Sequence, residues 1–434
     1  MKSLGFLVRP GKVSELARPA AYLALTTMTR ALSGLVVAKL ISVATGPAMF
    51  GRLSQLLIAT ALVGMFSGGG IGAAITRTLA AEKTGEGRDA WLRVALRIYV
   101  AATLVLAVLL GVYARELAIW VLGDPEYQSI FVILAISQAL VGISNILQAV
   151  AAARGSYKFI FQVNILGAVF GIGLIVALVS GFGYAGAAIG IVAAPAMTGL
   201  FALAMGRGEG GMPARLLKDS MKGWMASRKA ATHLLSYSLI TLAGAGSLSL
   251  AQMATRDFVG AALGWQQVGY WQAVSRISDA YMQFISLFLM SYGLPRLAKH
   301  GSLAQARGDL FQLSTFLIAS LVLGGAVLWL CRERIIALLY SAQFVEASYY
   351  ILPQLLGDVF RTVAVCFSVS FMALRGPRIS ICYEAAQGFV LYLTTFLLIR
   401  PAGIMAPLYA HCTTYLILAL VMGTLYRAHE KRGA

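Results

Sequence analysis

Two pairs of opposite charge lie inside apolar stretches of this chain, Arg276 with Asp279 and Asp358 with Arg361. Both are spaced i,i+3, which on a helix puts the two groups on one face within reach of each other. A charge at bilayer depth costs about 2.5 kcal/mol on the gentlest insertion scale, so such residues neutralise one another or serve a polar cavity. For these pairs both readings stand: a self-neutralised lock between helices, or a cavity lining that contacts a ligand or works as a proton-sensitive latch. Arg30, Lys39, Arg97 and Glu384 also fall in apolar runs. Arg97 is close enough to a run's end to snorkel, and Glu384 lies near an end where a helix-terminus role fits. Lys39 divides between snorkelling and function, because Arg256 stands at the matching level of the second half. Arg30 sits mid-run with no acid in the first half to neutralise it, so it must face a cavity or pair across the molecule. Cations outnumber acids in this set, a sign that favours an anionic ligand, and guanidinium groups suit phosphate oxygens. Tyr270, Trp271, Gln272, Tyr281 and Gln283 have the chemistry to stack on or hydrogen-bond sugars. The Trp and Tyr residues between 265 and 271 fit an interfacial belt better.

The elements that must hold these residues are transmembrane helices. Of 434 residues, 59% are hydrophobic and 12% charged, with a mean hydropathy of +0.79. A soluble domain carries about 25% charged residues. Taking about 20 apolar residues per crossing, the sequence predicts twelve spans near 19–44, 53–76, 91–113, 129–153, 159–180, 183–205, 231–255, 268–294, 310–331, 346–373, 379–399 and 404–426. The first run is too long for the core of a cleavable signal. Most of the 35 Lys and Arg lie in the N-terminal segment, the even-numbered loops and the C-terminus, which predicts both termini in the cytoplasm. The formal charge of +18 then reads as topology and affinity for anionic lipids, with no nucleic-acid partner.

The longest loop, 206–230, is Gly-rich and basic and divides the chain six spans from six. The expected organisation is an N-terminal segment 1–18, an N-lobe 19–205, a linker 206–230, a C-lobe 231–426 and a tail 427–434. The halves echo each other: Lys39 with Arg256, Gly51 with Gly269, Arg77 with Arg296, and ARELAIWVL with CRERIIALL recur in order roughly 218 residues apart. Six is an even number, so the copies share an orientation and their pseudo-two-fold axis runs along the membrane normal. The fold class is thus all-α integral membrane, two six-helix lobes around a central cavity.

Catalysis has no visible home. Cys331, Cys366, Cys382 and Cys412 show no CxxC spacing, and His233, His300, His411 and His429 are dispersed, so no metal site is expected. There is no GxxxxGK[ST], HExxH or GxSxG motif, and the connections on the far side are too short for a catalytic domain. FSGGGIGAA at 67–74 and the GxxxG spacings at Gly167/Gly171 and Gly186/Gly190 suit close helix packing or bending.

VGYWQAVSRISDAYMQF (268–284), QLLGDVFR (354–361) and YEAAQGF (383–389) resemble signature segments of bacterial Wzx-type flippases, as do VVAKLISVATGPAMFG (36–51) and GYAGAAIGI (183–191). The likeness covers nearly the whole chain and is greatest to the enterobacterial common antigen lipid III branch of the MOP exporter superfamily. It implies a MATE-like fold in the bacterial inner membrane. It implies a transporter that moves undecaprenyl-pyrophosphate-linked oligosaccharide to the periplasmic leaflet by alternating access, for O-antigen or enterobacterial common antigen synthesis. Carried over by position, Arg30, Lys39, Arg256, Asp279, Asp358 and Glu384 match charges of the family; with Arg276 and Arg361 they form the expected substrate-binding set. Arg276 replaces a small polar residue of the compared segment, and Asp257 stands where a base is expected, departures that bear on sugar specificity. No cofactor is implied beyond proton or sodium coupling, and the partners implied are a polysaccharide polymerase and a chain-length regulator. A MATE-like drug or cation antiporter is the alternative, but it calls for acids in the first half. A membrane glycosyl-polymerase calls for a large outer loop, and a lipid II flippase for fourteen spans.

Overall fold

The computed structural model describes residues 10–68, 70–82, 85–206, 228–376 and 378–432. Residues 207–227 of the expected linker, and residues 1–9 and 433–434 of the end segments, lie outside the described residues. Helices account for almost all of the rest, and no strand occurs among the described residues. In lipid every backbone polar group must be satisfied within its own segment, which is why long apolar runs become helices here.

The first half comprises α1 (Pro10–Ser67), α2 (Gly72–Ala81), α3 (Gly85–Val112), α4 (Ala114–Leu122), α5 (Gln128–Ala153) and α6 (Tyr157–Gly206). Two of these hold two crossings each. Helix α1 turns at Gly46 (φ 71°), followed by Pro47, and α6 turns at Gly183 (φ 54°). Only glycine takes such positive φ without steric cost, so single residues make these reversals. The second half comprises α7 (Arg228–Leu263), α8 (Trp265–Phe288), α9 (Leu303–Leu330), α10 (Arg332–Leu339), α11 (Ile351–Arg375), α12 (Arg378–Ala402) and α13 (Ala406–Arg432). Here Gly264 (φ 91°) separates α7 from α8 and Gly403 (φ 51°) follows α12, at the places where Gly46 and Gly183 turn the first half. The short helices α4 and α10, built from the repeated Arg-Glu segments, follow the third crossing of each half and lead through a 3-10 turn into the fourth. The repeat read from sequence is thus repeated in backbone geometry, and the crossings among the described residues number twelve.

Several span ends differ from expectation by a few residues, and one differs by a break in the helix. The second crossing was expected to run to residue 76, but α1 ends at Ser67 and α2 begins at Gly72. The glycines of FSGGGIGAA break the helix there, with Gly70 at φ 61°.

The cores explain how the lobes meet. One cluster joins both lobes at the face opposite the termini, the distal face. It includes Phe50, Leu53 and Phe131 of the first half with Val268, Trp271, Tyr340 and Phe344 of the second. Towards the termini face each lobe has its own core. One is built on Leu96, Ile146 and Phe159, the other on Leu297, Leu313 and Phe371, and Leu234 and Ala231 of α7 cross into the first. The lobes are therefore joined distally and separated towards the termini. The tightest contact is mutual: a Cβ on Gly51 would collide with the Trp265 carbonyl, and one on Gly269 with that of Pro47. Arg52 stacks 4.0 Å over the Trp265 ring beside it. Tyr270 and Trp271 are buried in this interface, at 3% and 5% exposure, which overturns the interfacial-belt reading for those two residues.

Candidate functional site

Two adjoining cavities, of 340 and 520 Å³, lie between the lobes, and a third, of 60 Å³, lies within the second lobe beside them. Arg30 and Arg276 line both of the larger ones, and Asp279 and Arg361 line both the 520 Å³ cavity and the smallest. Among the described residues, seven helical stretches are apolar enough to cross a membrane on composition alone, and α7 and α8 fall outside them. Those two carry Arg256, Arg276 and Asp279, so the polar character that weakens them as spans is spent on the cavity wall.

Arg30 projects from the first arm of α1. Its Nε donates to Asn164 Oδ1 at 3.0 Å, and Asn164 Nδ2 donates in turn to Gln148 Oε1 at 2.8 Å and to the Ile160 carbonyl at 2.7 Å. Gln148 Nε2 donates to Ser144 Oγ at 2.9 Å. This relay across α6 and α5 fixes the guanidinium from behind, and its two terminal nitrogens keep no partner among the described residues. A planar group held at Nε with both Nη atoms turned to a cavity is arranged to take two oxygens of one anion. Arg276 faces the same space, and its buried Nε has no hydrogen-bond partner.

The expected Arg276–Asp279 pair does not form. Asp279, half exposed, lies 3.7 Å from Arg361 Nη1 across from α11, while Arg276 turns towards the first lobe. Residues i and i+3 are some 60° apart on a helix, enough for one to face α11 and the other the opposite lobe. The second expected pair is present but loose, with Arg361 Nη1 at 3.9 Å from Asp358 Oδ1. Arg361 therefore stands between two carboxylates and is bonded closely to neither.

Asp358 itself is fully buried and does not line the large cavities. Its Oδ2 accepts from Ser278 at 2.6 Å, from the Tyr281 hydroxyl and from Gln354 Nε2 at 3.4 Å, and its Oδ1 lies 3.0 Å from His411 Nε2. The carboxylate binds α8, α11 and α13 into one unit. Arg256, 6% exposed, is clamped by Gln272 Oε1 at 2.6 and 3.2 Å and lies 5.0 Å from the Trp271 ring centroid, beside the smallest chamber.

Asp358 lines none of the three cavities, and two further members of the expected set lie away from them. Lys39 Nζ donates to the carbonyls of Ala337, at 3.3 Å, and Tyr340 at the C-terminal end of α10. A cation on the free carbonyls of a helix end is a favourable pairing, and it ties the first lobe to the second at the distal face. Glu384 is exposed on α12, with its Oε2 close to Gly244 of α7. Sequence reasoning missed Asn164, Gln148 and Ser278, which position the charges, and set His411 aside as dispersed. The available signal was polar residues inside otherwise apolar spans, and His411 sits well within the last one. No group of three metal-binding side chains is found among the described residues.

The assembled site is a cleft with three arginines on its walls and one half-exposed carboxylate, already engaged by Arg361. Its net positive charge and unpaired guanidinium nitrogens suit an anion.

Comparison with known proteins agrees with this architecture. The chain is 26% identical over 410 residues to the lipid III flippase of Escherichia coli (strain K12), covering 93% of this chain and 96% of that protein. Among solved structures it is similar to a multidrug resistance MATE family transporter of the MOP superfamily in an inward-facing conformation (TM-score 0.74, 16% identity, 94% of this chain and 95% of the other). It is also similar to the lipid II flippase MurJ in an inward closed conformation (TM-score 0.68, 15% identity, 94% and 86%). The family model described as polysaccharide biosynthesis protein matches residues 16–300, most of the chain, and that is the family to which this multi-pass membrane protein belongs.

Proposed function

We propose that this chain is a flippase for polyprenyl-pyrophosphate-linked oligosaccharide, moving it from the cytoplasmic to the periplasmic leaflet of a bacterial inner membrane. The observation that carries the reading is the cleft shared by Arg30 and Arg276, which presents unpaired guanidinium nitrogens from both lobes to one space. The relatives named lipid III flippase support the substrate class. Arg30, Arg276 and Arg361 hold the diphosphate, with Arg256 behind them; the saccharide occupies the rest of the cleft and the lipid tail stays in the bilayer. Asp279 and Asp358 act on Arg361, Lys39 holds the distal face shut, and Glu384 has a packing role on α12. In this reading both termini lie in the cytoplasm, which sets the separated ends of the lobes on the side where the lipid-linked sugar is made. A pyrophosphate diester carries about two negative charges, and an interior-negative potential of 100 mV favours its outward movement by about 5 kcal/mol. Anionic lipids at the basic face, and a polymerase and chain-length regulator at the distal face, are the partners this reading calls for.

A drug or cation antiporter of the same fold is the competing reading. It needs a free acid in the cleft, and Asp279 is engaged by Arg361 while the crossings of the first lobe contain none. Native mass spectra of the purified protein with undecaprenyl-pyrophosphate oligosaccharide, with a cationic drug as competitor, decide between them. Retention of the lipid by wild type, weakened in Arg30→Ala and indifferent to the drug, is the expected result. Drug uptake without lipid retention overturns the proposal.

A further inference from the structure

Behind the arginines lies a histidine, His411, that the proposed function leaves unused. His411 Nε2 has two neighbours with opposite demands: Asp358 Oδ1 at 3.0 Å requires a proton on that nitrogen, and the Gln354 amide nitrogen, also at 3.0 Å, offers one. With the proton on Nε2, two donors face each other; with it on Nδ1, the lone pair confronts a carboxylate unless Asp358 is itself protonated. The Gln354 Oε1 atom is buried with no partner; turned over, the amide would accept from Nε2–H but would set Oε1 against Asp358 Oδ2 at 3.4 Å. His411 borders the 60 Å³ chamber, which touches the arginine-lined cleft through Asp279 and Arg361.

The other charged or titratable groups around this chamber come from every packed element: Arg256 of α7, Asp279 and Tyr281 of α8, Asp358 and Arg361 of α11, Tyr383 of α12 and Tyr415 of α13. Tyr415 stacks edge-on against the imidazole at 4.8 Å between centroids. Asp358 Oδ1 is addressed by both His411 and Arg361, at 3.0 and 3.9 Å. The two cations compete for one oxygen.

We infer that His411 is a proton-binding positioning residue that decides whether Arg361 belongs to Asp358 or to the anion in the cleft. Neutral His411 leaves the carboxylate charge to Arg361, which stays drawn back. A proton taken up at Nδ1 makes an imidazolium, which neutralises Asp358 through Nε2–H, repels Arg361 and adds one positive charge beside the cleft. Anion affinity rises as His411 is protonated, by roughly tenfold for one added charge near the cleft. The inference rests on the reading of the cleft as an anion site.

The test is binding of undecaprenyl pyrophosphate to the full chain in nanodiscs at pH 5.5 and 8.0. Wild type is expected to bind about tenfold more tightly in acid. The ligand's own terminal phosphate gains a proton near pH 6 and works against this trend, so it cannot imitate it. His411→Gln is expected to bind as wild type does at pH 8.0 and no more tightly at pH 5.5, without the acid gain. Wild type and His411→Gln sharing one pH profile overturns the inference and leaves the proposed function standing; wild type binding at neither pH overturns both. Should His411→Gln fail to fold, a protein with His233, His300 and His429 replaced by Gln leaves His411 as the sole imidazole for NMR titration. By reciprocity its midpoint must move up when undecaprenyl pyrophosphate is added. No titration between pH 5 and 8, or no shift with ligand, refutes the proposal on that route.

Discussion

Replacing Lys39 with Met tests whether the distal seal depends on this one cation. The ammonium serves two carbonyls at the end of α10, those of Ala337 and Tyr340. A hydrogen bond to a charged group contributes about 1.5–3 kcal/mol. Met keeps the length and packing of the stem but leaves both carbonyls without a donor in the sealed state, whereas opening the distal face gives them water. The Ala337 bond is long at 3.3 Å, so the pair together biases the equilibrium by about 2 kcal/mol, or roughly thirtyfold in favour of opening. Spin labels at Glu126 and Glu346, exposed on the distal turns of the two lobes, read the separation by pulsed electron resonance in a background with the native cysteines replaced. Wild type should give one short population and Lys39→Met a second, longer one, while Lys39→Arg, which keeps the charge, stays mostly short. Identical distributions for wild type and Lys39→Met refute the latch and return Lys39 to the ordinary snorkelling residues.

Three further substitutions probe the supports of the site. Asn164→Leu releases Arg30 from its relay while leaving the guanidinium present, so diphosphate-lipid binding should fall about fivefold, less than for Arg30→Ala, in the same native mass spectra. Gly269→Ala puts a methyl group against the Pro47 carbonyl and should open the distal face in the same spin-label pair; Gly308→Ala, with open space around it, should leave the distances unchanged. Asp358→Ala strands Ser278, Tyr281 and His411 at once and should cost about 3–5 kcal/mol, seen as a lowered melting temperature in detergent; an unchanged melt would mean the buried carboxylate ties nothing together.

Crossings, orientation of the repeat and the sign of the cavity were legible because they depend on local and bulk properties. A run of apolar residues must become a helix in lipid, and a mid-span Arg30 without a neighbouring acid must find a cavity. The repeated glycines Gly51 and Gly269 could be seen to correspond, but that they touch the opposing backbone is a fact of lobe docking that one copy alone does not contain. The partner of Asp279 stayed open for the same reason: i,i+3 spacing makes Arg276 available, yet α11 brings Arg361 to it and the first lobe draws Arg276 away. His411 was passed over because its partners Asp358 and Gln354 lie more than fifty positions earlier and meet it only through packing of α13 on α11. Lys39, placed by the repeat opposite Arg256, ended on a helix terminus, since the short helix α10 offers free carbonyls within its reach.

The unequal charge of the lobes bears on how the cleft closes. Arg30 comes from the first lobe and Arg276 and Arg361 from the second, so bringing the termini ends together moves like charges towards each other. At an effective dielectric of about 20, two guanidinium groups 8 Å apart repel by about 2 kcal/mol, and Arg30 meets two of them. An empty cleft therefore resists closure, and a diphosphate between the lobes both removes the repulsion and bridges them. The ligand would thus favour the closed state through the differential contacts that any population shift requires. Labels at Arg154 and Lys299, exposed on the termini face of the two lobes, should approach each other when undecaprenyl pyrophosphate is added to wild type. Arg276→Gln removes part of the repulsion and should show some of the closed population without ligand, together with weaker binding. If Arg276→Gln stays as open as wild type when empty, and the lipid moves neither protein, then charge repulsion does not hold the cleft apart, and the separated cores of the two lobes must be kept open by packing alone.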